Sequence, residues 1–265
     1  MLIVGERINT SRKQIDAAVG KRDAAFIQDE ARAQVAAGAQ IIDVNSGSRI
    51  GSEPEDLIWL IDVIQEALTV RLSLDSSDPL CLREVIGRVR EVPMLNSTTA
   101  EKNRFEQMAP VIQKRECDVV ALCIDDRGIP KSANQVMENA KKLIEDLEAL
   151  GVHRERIYLD PLIQAVSTDT EAGLKALEAI EGIHREFDGV KTVCGLSNIS
   201  FALPKRPVLN RAFLTLAMRA GLSALLIDPL DKRTMGNLKA TKLLLGQDEY
   251  CTGYIKAFRE GRLED

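Results

Sequence analysis

The sequence predicts an α/β fold, a (β/α)8 barrel forming a single domain with an extra C-terminal helix. The first observation is that short apolar runs alternate about eight times with longer stretches of helical periodicity. The second is that these runs are about four to six residues long, as expected of parallel strands buried on both faces. The third is the length of 265 residues, which suits a barrel of roughly 250 residues.

The predicted strands follow one another at the spacing of βα units. In chain order they are 2–6, 40–45, 71–75, 92–96, 118–124, 156–160, 191–197 and 223–228. Each run is followed by a stretch in which apolar residues recur at helical intervals. These predicted helices are 22–37, 54–68, 78–89, 101–115, 132–150, 169–186, 208–220 and 232–245. An amphipathic segment at 248–261 is expected to form the extra helix and to pack on the barrel or on a partner chain.

Several residues mark the predicted helix ends. Asp78, followed by proline, is typical of an N-cap, and Thr99 is expected to open the helix that follows it. Gly38, Gly151 and Gly221 each follow a helical stretch at the position of a left-handed C-cap. We therefore interpret these three glycines as structural.

Composition excludes several classes of function. The net charge of −5 and the scattered basic residues argue against a nucleic-acid or membrane-surface role. The N-terminal apolar run is too short for a signal peptide, so we expect a cytoplasmic protein. Its five cysteines show no C-x-x-C spacing, and most, including Cys194, are expected to be reduced core residues. With two histidines, we expect no histidine-based metal site, and we assign no metal-binding residues.

Polar residues end most of the predicted strands. They are Asp43, Asn45, Asp75, Asn96, Asp160 and Asn198, with Glu6 and Asn9 at the first strand. Any one of them could be only a helix N-cap. Because the C-terminal ends of barrel strands meet at one opening, called the mouth below, the whole set predicts a single polar site there.

The residue types at these ends narrow the chemistry. Paired carboxylates could hydrolyse glycosides, but the single Trp lies far from any strand end, whereas sugar sites usually offer aromatic surface. Carboxylates could also bind magnesium. Groups that arrive singly from different strands also suit a planar heterocycle with donors and acceptors around its edge. Asp75 and Asp160, with Asn96, would match the 2-aminopyrimidinone edge of a pterin.

Motifs spread along the chain resemble those of the methyltetrahydrofolate:corrinoid methyltransferases. They are GERIN at 5–9, LDSS at 74–77, LNST at 95–98, DP at 160–161, GLSN at 195–198 and RPVLNRAFL at 206–214. The resemblance implies a (β/α)8 barrel that binds tetrahydrofolate or 5-methyltetrahydrofolate in its mouth. Because members of the family are commonly homodimers, it also implies a homodimer. Residues 1–265 are expected to form this barrel alone. Because the D-x-H-x-x-G type of corrinoid motif is absent, the corrinoid (cobalamin) is expected to arrive on a separate partner protein.

The resemblance also implies roles for individual residues. Asp75, Asn96 and Asp160 correspond to the pterin-contacting residues, and Asn198 to the catalytic asparagine near the reacting N5 nitrogen. Gly195 and Ser197 are expected to shape the loop that carries this asparagine. Weaker candidates for the surroundings of the pterin or for the folate tail are Glu6, Asn9, Asp43 and Arg206. For Arg206, a surface role or a corrinoid-facing role is expected as much as a role near the folate.

The direction of methyl transfer stays open between two readings. The acidic pair Asp125-Asp126 and the segment FALPK at 201–205 differ from the acetogenic pattern, in which methyl moves from methyltetrahydrofolate to a corrinoid/iron-sulfur protein. They favour slightly the methylcorrinoid-to-tetrahydrofolate direction, found in glycine betaine and related demethylation pathways.

Two further alternatives lie outside methyl transfer. Dihydropteroate synthase shares the fold and the pterin, but carries a Ser-Arg-Lys pattern where this chain has Ser197-Asn198-Ile199. A non-catalytic folate-binding barrel would leave Asn198 without a task.

Overall fold

A computed structural model describes residues 1–264 and contains a closed barrel of eight parallel strands in sequential order. The strands are β1 Leu2–Asn9, β2 Ile41–Asn45, β3 Arg71–Asp75, β4 Met94–Thr99, β5 Asp118–Leu122, β6 Ile157–Asp160, β7 Lys191–Gly195 and β8 Ala224–Ile227. All eight predicted strands are therefore confirmed, although β1 and β4 extend three residues beyond their predicted ends. The predicted seventh strand ends two residues early, at Gly195, and Leu196–Ser200 form a 3-10 turn instead.

Helices surround the barrel on the outside. They are α1 Lys13–Lys21, α2 Ala24–Ala37, α3 Glu53–Ala67, α4 Pro79–Val85, α5 Lys102–Ile112, α6 Ala133–Ala149, α7 Ala172–Glu186, α8 Arg206–Ala220, α9 Lys232–Leu244 and α10 Thr252–Arg259. Nine of the ten were predicted, with differences at their ends. Helix α1 was not predicted, because it is only nine residues long and buries just Ile15, Ala18 and Val19.

The predicted helix-end residues have mixed outcomes. Asp78 is confirmed as an N-cap, since its Oδ1 accepts from the backbone N–H of Leu80 at 2.9 Å. Gly38 and Gly221 are confirmed as left-handed C-caps, with φ of 112° and 107°.

Two of the predicted ends differ. Gly151 is left-handed, but it lies one residue beyond the cap of α6. The prediction for Thr99 was wrong: α5 begins after Glu101, whose backbone N–H donates to Thr99 Oγ1 at 3.2 Å.

The strands are buried on both faces. Their outward side chains pack against the helices in one large apolar cluster. Their inward side chains form a smaller cluster inside the barrel: Val4, Ile41, Met94, Val120, Tyr158, Val193 and Ala224. Four of the five cysteines are also buried, Cys194 among them, and all five are unpaired. The two clusters confirm the parallel-sheet interpretation of the apolar runs.

Charged side chains close the N-terminal end of the barrel. Asp118 on β5 accepts from Arg71 at 2.6 Å and from Arg156 at 3.2 Å. Beside them, Lys191 Nζ donates to the Tyr158 hydroxyl at 3.2 Å. The inner apolar cluster lies between these charged groups and the polar side chains at the C-terminal ends of the strands.

The C-terminal segment folds as a helix packed on the outside of the barrel. Helix α10 contacts α9 and buries Ala257, whereas Tyr250 and Phe258 are exposed. The predicted extra helix is therefore confirmed. Across residues 1–264, no helix has the length and apolar character needed to cross a membrane.

Candidate active site

Three adjacent strands bring Asp43, Asp75 and Asn96 together at the mouth. Asn45 pairs with Asp75 across β2 and β3, and Asp75 pairs with Asn96 across β3 and β4. Alternate residues of a strand face the same side, so Asp43 lies one step deeper than Asn45 on the barrel interior. There its Oδ1 accepts from Asn96 Nδ2 at 3.3 Å.

The Asp43 and Asp75 carboxyl groups act as one electrostatic unit. Asp43 is buried, and this burial, followed by the charge of Asp75, raises the pKa of Asp43 well above its ordinary value. Burial also raises the pKa of Asp75, while hydrogen bonds from Asn45 and from Asp43 oppose the rise. Because adjacent like charges disfavour double ionisation, the neutral form of each carboxyl group is favoured more than in an isolated group, most strongly at Asp43. Asp75 ends β3 and lies beside Asn45 and Asn96 at the mouth.

Asp160 ends β6 on another side of the mouth. Its Oδ1 accepts from the backbone N–H of Leu162 at 2.8 Å. Burial raises the pKa of Asp160 to about 6, and the Leu162 hydrogen bond opposes the rise. Asp160 is therefore mostly ionised at pH 7 and becomes protonated in mildly acidic solution.

The loop after β7 presents Asn198 to solvent. Asn198 lies in the 3-10 turn and is exposed. Arg206 forms hydrogen bonds with this turn. The Arg206 guanidinium donates to Ser197 O at 2.6 Å and to Ser200 Oγ at 3.1 Å. A Cβ at Gly195 would lie 3.6 Å from Asn198 Nδ2, an ordinary contact distance, so Gly195 adjoins the amide without being required by space there.

Glu6 belongs to an ionic network between β1 and β8. Its pKa is raised chiefly by burial, while Arg12, 3.8 Å away, opposes the rise. Arg12 also contacts Asp228 at 3.4 Å, and Arg7 pairs with Asp228 at 2.7 Å and with Glu30. Sequence reasoning missed Asp228, although it ends the predicted strand 223–228 in the same way as the residues that were chosen. No comparable sequence pattern marked Arg7 or Arg12 as site residues.

Asn9 is used in a local turn. Its Oδ1 accepts from the backbone N–H of Ser11 at 2.9 Å at the end of β1. The other weaker candidates form ion pairs or hydrogen bonds with groups at the mouth that lie on different strands or loops. These candidates are Glu6, Asp43 and Arg206.

Two further residues at the mouth were not predicted. Glu53, at the start of α3, accepts from Ser76 Oγ at 2.5 Å, and its charge helps to raise the pKa of Asp75. Arg104 donates to main-chain oxygens of Ser77 at 2.6 Å and Ser97 at 2.7 Å, joining the ends of β3 and β4. Both lie on helices, where charged residues usually face solvent, so their sequence context does not distinguish them.

The site offers hydrogen-bonding groups arranged around a polar opening. Its acceptors and amides suit an edge rich in N–H and C=O groups, as in a pterin. Cys123 and Cys194 are buried, and burial raises the pKa of each thiol, so neither is an activated nucleophile. Within residues 1–264, no three His, Cys, Asp or Glu side chains are grouped to hold a metal ion.

The fold is similar to that of solved dihydropteroate synthases. The enzyme of Yersinia pestis aligns with a TM-score of 0.65 at 15% identity, covering 92% of this chain and 91% of its own. The enzyme of Xanthomonas albilineans in complex with 7,8-dihydropteroate aligns with a TM-score of 0.65 at 19% identity, covering 94% and 93%. At these identities the likeness shows the fold alone.

Sequence comparisons give the family. The methylcorrinoid:tetrahydrofolate methyltransferase of Eubacterium limosum is 36% identical over 265 residues, covering 99% of this chain and 98% of that protein. The methionine synthase of Mycobacterium tuberculosis is 30% identical over 242 residues, and the match spans 20% of its length. The family model described as pterin binding enzyme matches residues 5–228. This chain therefore belongs to the family of pterin-binding enzymes.

Proposed function

We propose that this enzyme transfers a methyl group from the cobalt of a methylcorrinoid to N5 of tetrahydrofolate. The main support is the 36% identity that extends along nearly the whole length of the Eubacterium limosum methylcorrinoid:tetrahydrofolate methyltransferase. Residues 1–265 act as one methyltransferase barrel, and the corrinoid is carried by a separate protein. The end-to-end match supports this division, because that relative is covered almost completely by the barrel chain.

The pterin is held by Asp75, Asn96 and Asp160. An ionised carboxylate can accept two N–H bonds from a 2-aminopyrimidinone edge, and Asp75 and Asp160 are both suited to this role. Asn96 offers the mixed donor and acceptor that ring nitrogen and carbonyl groups require. The raised pKa of Asp43 favours its neutral form, which reduces repulsion between this carboxyl group and Asp75 beneath the pterin.

Asn198 acts on the reacting nitrogen. In the proposed direction the N5 lone pair forms the new C–N bond, the C–Co bond breaks, and its electron pair reduces cobalt(III) to cobalt(I). Positive charge develops on N5 until its proton leaves to solvent. The Asn198 amide oxygen can accept a hydrogen bond from this N–H and stabilise the developing charge. The same contact would assist the reverse reaction, so Asn198 does not set the direction.

Dihydropteroate synthesis is less well supported by the site. That reaction releases pyrophosphate, whose charge requires cations near the leaving group. The loop after β7 carries Ser197-Asn198-Ile199, and the nearby Arg206 guanidinium is occupied by Ser197 and Ser200. The loop therefore suits a neutral reacting nitrogen better than a departing pyrophosphate.

We further propose that the enzyme is a cytoplasmic homodimer. Five unpaired cysteines suit a reducing compartment. Tyr250, Ile255 and Phe258 form an exposed apolar face on and beside α10, which a second copy of the chain could cover. Sedimentation of the purified protein at micromolar concentration tests this: a dimer is expected, and a monomer would exclude the assembly.

Anaerobic absorbance spectroscopy tests the reaction itself. Purified enzyme is mixed with methylcobalamin and tetrahydrofolate, and separately with cob(I)alamin and methyltetrahydrofolate, while the corrinoid bands are followed. Turnover in both mixtures, faster in the first, is expected. A faster second mixture would favour the acetogenic direction. If neither mixture reacts, even with the corrinoid-carrying protein in place of free cobalamin, the methyl-transfer proposal fails.

A further inference from the structure

The hydrogen-bonded ladder between β3 and β4 ends at two residues that are proposed to hold the pterin. Asp75 and Asn96 are the last register pair of these two strands. One further main-chain bond follows, from the Ser76 N–H to Asn96 O at 3.1 Å. Beyond it, β4 continues beside β5, and its register with β5 shifts between Asn96 and Thr98. The sheet alone therefore gives little support to the separation between the Asp75 and Asn96 side chains.

A side chain from α5 bridges the two strands just beyond this last bond. Arg104 Nη1 donates to Ser77 O at 2.6 Å. Arg104 Nη2 donates to Ser97 O at 2.7 Å and to Ser76 O at 3.3 Å. All three acceptors are main-chain oxygens that lie one or two residues after a proposed pterin contact. The guanidinium therefore holds the main chain of both strands where the two contacts leave it.

The shape of the guanidinium suits Arg104 to this bridge. Its planar fork presents several N–H groups at once, so it can reach acceptors on two strands, whereas a lysine ammonium is a single point. Burial disfavours the charged guanidinium and lowers the pKa of Arg104, while the charges of Asp78 and Glu101 oppose the fall. The three carbonyl bonds offset that cost of burial.

We propose that Arg104 is a positioning residue that sets the distance between Asp75 and Asn96 and thereby the fit of the pterin edge. This inference rests on the proposed function, because it concerns two residues assigned there to the pterin. It goes further by giving a role in substrate binding to a helix residue that acts only through the main chain of β3 and β4. Hydrogen bonds weaken steeply when distance and angle change, so a shift between the strands should lower affinity.

Two substitutions at Arg104 test the bridge. Arg104→Met keeps much of the apolar stem but removes the three bonds, so the Kd for 5-methyltetrahydrofolate should rise by about 5- to 50-fold. Arg104→Lys keeps the charge but cannot reach acceptors on both strands, so it should recover only part of the loss. Titration calorimetry measures both. Full recovery in Arg104→Lys would assign the effect to charge and overturn the bridge.

Arg115 provides a matched control. It lies in the loop between α5 and β5 and donates to three main-chain oxygens at the N-terminal end of the strands: Ile86 at 3.4 Å, Val89, and Glu91 at 3.2 Å. Arg115→Met should lower the free energy of unfolding as Arg104→Met does, which chemical denaturation measures, but should leave the Kd within about twofold. An equal rise in Kd in both variants would reduce the effect of Arg104 to general stability.

A double-mutant cycle shows whether Arg104 acts through its strands. In the Asp75→Asn background, Arg104→Met should raise the Kd by less than about threefold, because the carboxylate that it positions is already absent. In the Asp160→Asn background the full rise should persist, because Asp160 ends β6, away from the bridge. Equal rises in the two backgrounds would exclude the positioning role.

The wild-type protein separates this inference from the proposed function. If it binds 5-methyltetrahydrofolate but the cycle shows no coupling to Asp75, only the role of Arg104 fails. If it does not bind 5-methyltetrahydrofolate, the proposed pterin site fails, and the role of Arg104 fails with it.

Discussion

At the scale of single residues, Asp43 has a role that its position in the sequence does not reveal. The pattern of polar strand ends places it with Asn45 on β2, but the structure buries it beneath Asp75 and Asn96. A buried carboxylic acid that keeps its proton behaves as a neutral hydrogen-bond donor. In the proposed binding mode, Asp75 supplies the charge that meets the pterin, while Asp43 accepts a hydrogen bond from Asn96 beneath it.

Two substitutions of the same kind distinguish the roles of Asp43 and Asp75. Asp43→Asn retains a neutral donor, so the affinity for methyltetrahydrofolate should change by less than about threefold. Asp75→Asn removes the charged acceptor and should weaken binding by about 10- to 100-fold, the cost of leaving a polar partner unpaired. Titration calorimetry measures both. Equal losses in the two variants would place the negative charge on Asp43 instead.

The raised pKa of Asp160 predicts a pH dependence of binding. In the proposed binding mode the pterin is recognised by the ionised carboxylate, so affinity should rise as pH increases through about 6 and level off above pH 7. Calorimetry with methyltetrahydrofolate from pH 5 to pH 8 measures this. In Asp160→Asn the affinity should be lower and should lose the component that titrates near pH 6. An unchanged profile in this variant would assign the titration to another group.

The raised pKa of Asp160 changes stability with pH in the direction opposite to its effect on ligand affinity. The folded-state pKa of about 6 exceeds the ordinary value of 3.8, so the folded protein retains this proton longer than the unfolded chain. The contribution of Asp160 to the free energy of unfolding is therefore greatest below pH 3.8 and is lost as pH rises through 6. In the proposed binding mode, Asp160 would favour ligand binding at neutral pH at some cost in stability, which is common for residues of functional sites.

Asn198 is expected to act on the rate rather than on binding. Asn198→Ala should slow methyl transfer by roughly 10- to 1000-fold, because one hydrogen bond to a developing charge is lost. Folate should bind with nearly unchanged affinity. Single-turnover spectroscopy at saturating folate measures the rate, and calorimetry measures the affinity. A matching loss of affinity would show that the amide contacts the ground state instead.

At the scale of elements, the apolar runs predict the strands well, because burial on both faces leaves little freedom in residue type. Polar loops are less constrained. The 3-10 turn after β7 is stabilised by hydrogen bonds from Arg206 on α8, so no local sequence pattern predicts it. Helix α1 was missed for a related reason: it depends on packing against neighbouring elements more than on its own sequence.

The link between α8 and the β7 loop can be tested at Arg206. Arg206→Met keeps much of the apolar stem but removes the hydrogen bonds to Ser197 and Ser200. The loop should then hold Asn198 less firmly, and kcat should fall by roughly tenfold, since small displacements of a catalytic group are costly. Arg206→Lys should restore part of the activity because it retains one donor. A loss confined to the KM for the corrinoid protein would instead support the corrinoid-facing role.

At the scale of the whole molecule, the two ends of the barrel are specialised differently. Repeated βα units predict the barrel and the end at which the polar side chains meet. They do not predict which of these side chains touch, since Asp43 and Asn96 are 53 residues apart and meet only through the register of the strands. The ion pairs at the closed end are equally distant in sequence. Arg71 and Asp118 are separated by 47 residues.

The closed end is expected to carry stability without activity. Asp118→Ala leaves Arg71 and Arg156 without their shared partner in a largely buried setting, which should lower the free energy of unfolding by about 3 kcal/mol. Chemical denaturation measures this loss. Asp146→Ala is a suitable control, because it breaks an exposed pair with Lys142 on α6 and should cost less than about 1 kcal/mol. Methyl transfer by folded Asp118→Ala should stay within about twofold of the wild-type rate, since the substitution lies at the end of the barrel opposite the mouth. A large loss of activity at full folding would mean that the two ends are coupled through the strands.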